Sequence, residues 1–165
     1  MCGSSTSLAM EPSGTLATIV DFIRDVGIAV ETATLPEDGF LPAIAVRDGR
    51  LVYDADRLQY PGDLLHEAGH IAVTDPALRS TVSDVGDDPG DEMAAIAWSY
   101  AAALAIGIDP HIVFHDQGYR GEGRNIAENF AQGRYFGVPM LRYYGLARFP
   151  HDEGEQYPGM IKWLR

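Results

Sequence analysis

Cysteine is almost absent from this chain of 165 residues: there is one, Cys2. No internal disulfide framework can form, and a reducing compartment fits best. Cys2 has a single residue ahead of it, so it lacks the apolar signal segment that a lipid-anchored cysteine requires. Positive charge is scarce as well. Twelve Lys and Arg stand against 24 Asp and Glu, a formal net charge of −12, which argues against an electrostatic grip on nucleic acid or on anionic lipid. Long apolar runs are missing too. The longest, Met93 to Ile108, is interrupted by Ser99 and Gly107 and reads as a buried helix, too short to span a bilayer. These absences together lead us to expect a cytoplasmic protein without nucleic-acid or membrane partners.

What is present fits one folded domain. Hydrophobic residues are 46% of the chain and charged residues 22%, a globular balance, and the length suffices for a single core. Residues 1–13 are small and polar and read as a disordered leader before a single domain over 14–165. Leu16, Ile19, Val20, Ile23 and Val26 keep helical spacing, with Thr15 as N-cap and Gly27 as C-cap. Ala43 to Arg47 and Arg50 to Asp54 are β-prone runs joined by Asp48-Gly49, whose residues tolerate the positive φ of a tight hairpin turn. Pro61 to Thr74 reads as a helix stopped by Asp75-Pro76. An acidic, glycine-rich loop over 83–90 leads into a long helix from Asp91 to Ile106. Asp109-Pro110 starts a short helix, and Arg124 to Phe136 places Ile126, Ala127, Phe130 and Ala131 on one helical face ending at Gly137. The terminal residues should dock Ile161, Trp163 or Leu164 on the domain. The expected class is α+β: a small, mostly antiparallel sheet of about three strands on a helical core.

Of the five histidines, two fall in the run Leu64-Leu65-His66-Glu67-Ala68-Gly69-His70-Ile71-Ala72-Val73. Four residues of α-helix turn the chain by about 400°, so His66 and His70 project from nearly one face, a turn apart. That spacing lets two imidazoles bind one tetrahedral ion. Glu67 stands to the side, able to bond a water without ligating the metal, which is why H-E-x-x-H recurs in zinc hydrolases. Leu64, Leu65, Ile71 and Val73 are apolar enough to bury the helix, and Gly69 leaves room for a substrate or another backbone. Two imidazoles and a carboxylate buried without an ion would each bear a desolvation cost of a few kcal/mol unless individually paired.

Zinc (Zn2+) needs a third protein ligand and one open position. The longer H-E-x-x-H-x-x-G-x-x-H pattern is excluded, because Val73 and Pro76 occupy its glycine and final histidine positions. A carboxylate on the next helix is the alternative. Glu92 is the first choice, with Asp91, Asp88 and Asp84 as competitors and a simple first-turn residue favoured by the helix dipole as the bland reading.

The order of helix, hairpin, H-E-x-x-H helix and then Glu92-Met93-Ala94-Ala95 opening an alanine-rich helix resembles the ImmA/IrrE-like metallopeptidase domain, a minimal gluzincin. The resemblance covers about residues 15 to 110 and rests on His66, Glu67, His70 and Glu92. It implies a zincin-like fold and a zinc-dependent peptidase acting on a protein or peptide, in members of that family by regulated cleavage of repressor-like proteins. This chain lacks the helix-turn-helix domain of the commoner arrangement. The implied mechanism has zinc lowering the pKa of its water toward about 7 while Glu67 takes the proton and passes it to the departing amine. The tetrahedral oxyanion needs a further donor, for which His115, Tyr100, Tyr119, Arg120 and Arg124 are candidates and His115 is preferred.

His111 and His115 repeat the i, i+4 spacing with Asp116 beside them, which is weak support for a second metal site. His151 reads as a surface residue. The glycines between Gly118 and Arg124 read as a turn flanking the cleft and not as a phosphate loop, since no strand precedes them. A different class of function stays open: a catalytically silent metal-binding interaction or sensor module on the same fold.

Overall fold

The computed structural model describes residues 12–39, 41–83, 88–118, 121–148 and 159–165. Helix α1 (Pro12–Val26) begins three residues before Thr15 and inside the stretch read as leader. Thr15 is therefore a buried residue within the helix and not its cap. Proline suits a first helical turn because its φ is preset and its missing N–H has no helical partner to lose. Ile19 and Ile23 are fully buried, and Gly27 ends the helix with φ 108°.

Three short strands follow: β1 (Val30–Thr32), β2 (Ile44–Arg47) and β3 (Arg50–Tyr53). The hairpin is where Asp48-Gly49 puts it. Both turn residues take positive φ, 51° and 72°, and Arg47 faces Arg50 across the antiparallel ladder. The strand order is β1-β3-β2, and β1 runs parallel to β3 with Val30 opposite Leu51. The fold is thus α+β with a three-stranded mixed sheet. Its central strand β3 contributes Leu51, Val52 and Tyr53 to the core.

Helix α2 (Gly62–Val73) carries the two neighbouring histidines and stops at Thr74, whose extended ψ of 143° precedes Asp75-Pro76. Leu64, Leu65, Ile71 and Val73 are at most 1% exposed, each contributing roughly 1.5–3 kcal/mol by burial. Helix α3 (Pro89–Ile106) starts two residues earlier than expected because Asp88 caps it: Oδ1 accepts from the Gly90 N–H at 2.8 Å and the Asp91 N–H at 3.3 Å. It ends, as its composition implies, at Gly107 with φ 73°.

The later elements differ more from expectation. Asp109-Pro110 opens only a 3₁₀ turn, Pro110–Ile112. The helix expected through Phe136 is α4 (Gly123–Ala131), followed by a turn in which Gly133 takes φ 80°. Ala131 is exposed, unlike Ile126, Ala127 and Phe130. Gly137 does not terminate that helix; it introduces α5 (Val138–Tyr143) with φ 73°, and its Cα lies so close to the Met93 carbonyl that no side chain fits. At the C-terminal end Trp163 packs edge-on against Trp98, 5.6 Å between ring centroids, and Phe22 at 5.1 Å. The Trp98 indole N–H donates to the Trp163 carbonyl at 2.9 Å. Leu164 also packs on the core, whereas Ile161 is 64% exposed.

Helices α2 and α3 cross closely. A Cβ on Gly69 would stand 2.9 Å from the Ala95 carbonyl oxygen and 3.2 Å from the Trp98 ring. The room at Gly69 is thus filled by another backbone. Gly69→Val is expected to lower unfolding free energy by about 1–3 kcal/mol, since an interior this tightly packed cannot absorb the added volume; urea denaturation followed by circular dichroism checks it.

Candidate metal centre

Helix α2 puts His66 and His70 one turn apart, and their rings meet edge-on at 4.7 Å with an 87° interplanar angle. The two Nε2 atoms are 3.1 Å apart. Across the crossing, the first turn of α3 brings Glu92 against both: Oε1 is 3.2 Å from His66 Nε2 and Oε2 is 2.7 Å from His70 Nε2. Three donors from two helices therefore converge on one point.

The set could hold a metal ion. Ligands at about 2.0–2.1 Å in a tetrahedron lie about 3.3–3.4 Å from one another; the 3.1 and 3.2 Å separations are close to this and the 2.7 Å one between His70 and Glu92 is shorter. Glu67 also has a carboxylate oxygen within 4.8 Å of the histidine nitrogens. Glu92, with an oxygen against each imidazole, is better placed as the third ligand. That leaves Glu67, 6% exposed, beside the centre. The competitors are occupied elsewhere: Asp88 caps α3 and Asp91 Oδ1 accepts from the Tyr144 hydroxyl at 3.2 Å. Asp84 lies outside the described residues.

The two glutamates sit in contrasting fields. Burial pushes the Glu67 carboxyl above its ordinary value, against the pull of His66 and His70. Partial burial pushes Glu92 the same way, but hydrogen bonds from His66 and His70 outweigh it and hold that carboxyl well below the usual range. For His66, burial favours the neutral ring; the Glu92 hydrogen bond and the charges of Glu92, Glu67 and Asp63 reverse this and raise its pKa.

His115 is held apart from these donors. Its Nε2 lies 2.7 Å from Asp63 Oδ1, its ring stacks on Tyr60 at 4.0 Å, and its Nδ1 is buried without a hydrogen-bond partner among the described residues. In this conformation its Nε2 is engaged by Asp63 at the start of α2, and His115 is not among the residues grouped at the centre. Its spacing from His111 does not make a helical pair, because the helix there is only a 3₁₀ turn. Among the described residues the one metal-competent cluster is the one on α2. Tyr100 is stacked on Phe130 at 4.5 Å within the aromatic core, and Arg124 lines a separate cavity. Tyr119, Arg120 and His151 lie outside the described residues, as does Cys2.

Sequence reading missed Tyr60 and Asp63. Asp63 was accessible in principle, being three and four residues before His66 and Glu67 on one helical face. Its partnership with His115, 52 residues away, carries no local signal.

The shifts set signs for pH. Without metal, the raised His66 pKa contributes stability that is full below its ordinary 6.5 and fades as pH rises through the folded value. The depressed Glu92 contributes stability above its ordinary 4.5, lost as pH falls through its folded value. Zinc competes with protons for the imidazoles, so its effect runs the other way. Chelator-treated protein is expected to melt lower at pH 8 than at pH 6, and the rise in melting temperature on adding zinc to be larger at pH 7.5 than at pH 5.5, as read by differential scanning fluorimetry. His70→Ala is expected to abolish the zinc-induced rise.

No family model, no curated protein and no solved structure matches the chain, and the function of the centre is therefore inferred from its own donors.

Proposed function

We propose that the protein is a zinc-dependent peptidase of the ImmA/IrrE-like kind, acting in the cytoplasm on a peptide bond of a protein or peptide. The observation that carries this reading is the convergence of His66, His70 and Glu92 with a separate buried carboxylate, Glu67, beside them. A purely structural site has no use for an acid beside an open coordination position. Among the described residues no helix is long and apolar enough to cross a membrane.

His66, His70 and Glu92 would hold the ion. When bound, zinc supplies a Lewis acid that acidifies water and polarises a carbonyl. Glu67 is the proton carrier: its carboxylate accepts a proton from the attacking water, and the resulting acid delivers it to the amine nitrogen as the C–N bond breaks. The upward push of burial on this carboxyl suits both halves, because a group that is too acidic would not return the proton. Glu92, with 44% of its side chain exposed, keeps the centre at a surface that an extended chain can reach.

A second reading has one observation in its favour. With both His115 nitrogens covered, no described side chain is identified as oxyanion donor, as would suit a silent metal-binding sensor or interaction module. Hydrolysis separates the two. Zinc-loaded protein offered a mixed peptide library should yield defined cleavage products by mass spectrometry. Glu67→Gln should retain zinc and lose about 10²–10⁴-fold in rate, whereas His66→Ala should lose both. Bound zinc with no cleavage by the unmutated protein would favour the silent module.

A further inference from the structure

A second feature lies beyond the donors of the metal centre. A cavity of about 420 Å³ is lined by His111, Phe114, His115, Asp116, Arg124 and Glu128, between the loop after the 3₁₀ turn and one face of α4. His115 joins it to the centre. The same ring that walls the cavity is bonded to Asp63, one helical turn before His66 and Glu67. The cavity is thus linked to the helix that carries the centre through one side-chain contact, His115 to Asp63.

Its lining is chemically specific. Phe114 is fully buried and gives an apolar wall, while Asp116, Arg124 and Glu128 are exposed. Among the described residues none of these three charges makes an ion pair. Arg124 and Glu128, four apart on α4, both face the cavity. Among the described residues two carboxylates stand against one guanidinium, within a chain whose net charge is −12. A long cationic side chain suits such a space: its methylene stem covers the apolar wall and its charged head meets the acids. The volume falls in the range of small-ligand pockets, ample for one side chain with water.

We propose that this cavity is a subsite that receives a lysine or arginine side chain of the peptide substrate, with Asp116 and Glu128 as its specificity-determining groups and Arg124 as a competing cation. The assignment to a substrate rests on the peptidase reading; the preference for a cationic side chain does not.

The test uses the zinc-loaded full chain, ¹⁵N-labelled and titrated at low salt with a capped alanine pentapeptide carrying a central lysine, or norleucine in its place. The lysine peptide should shift the amides of Phe114, Asp116 and Glu128 and bind about three- to fivefold more tightly, a preference of the size expected for partly exposed charges, and it should shrink as salt is added. Glu128→Gln should weaken lysine binding, and Arg124→Gln should strengthen it. Both positions are exposed, and unchanged circular dichroism and zinc content would verify that folding is intact. Equal affinity for the two peptides, weaker lysine binding in Arg124→Gln, shifts confined to other regions, or no binding at millimolar peptide would each overturn the proposal. Selective binding without cleavage of any peptide would sink the peptidase and leave the cationic subsite standing; cleavage indifferent to lysine would do the reverse.

Discussion

The reach of one carboxylate across a helix crossing organises this molecule. Glu92 stands on α3, its partners His66 and His70 on α2, and each of its oxygens meets one imidazole. Such a bridge requires the helices to lie unusually near each other. Gly69 permits it on one side, where its Cα faces the Ala95 carbonyl, and the run of buried alanines on α3 permits it on the other. The geometry of the centre is thus set by small residues that carry no chemistry.

Helix α2 has two obligations at once. Its apolar residues form part of the core, fully withdrawn from water, while His70 and Glu67 are nearly as buried and are polar. Burial of such groups is tolerated only where they have partners or an ion. The outcome is a pair of glutamates with opposite tendencies, one inclined to hold its proton and one to surrender it. Two carboxyls of one residue type are thus pushed to opposite sides of their ordinary pKa by environment alone.

Much of this was legible in the amino-acid order. The hairpin follows from Asp48-Gly49, the boundaries of α2 from Pro61 and Asp75-Pro76, and the orientation of His66 toward His70 from helical periodicity, all local effects of a few residues. Glu92 was legible because a buried helix with an acid in its first turn raises the question of what that acid meets. The failures were equally physical. Val30 to Thr32 has too little pattern to announce a strand, since it becomes one only by pairing with β3. Gly137 looked like a helix stop, but a left-handed glycine serves as well to begin α5, and the choice was made by the Met93 backbone lying against it. His115 was picked out by residue type, whereas its contacts are with Asp63 and Tyr60, neighbours that only the tertiary fold supplies.

The tryptophan pair has a consequence of a more practical kind. Trp98 and Trp163 are the only two in the chain, and they meet at nearly a right angle, one within α3 and the other in the terminal segment. Their excited states are coupled only while that segment is seated. Near-ultraviolet dichroism and indole emission therefore form a built-in optical gauge of whether the tail is docked, readable without any attached label.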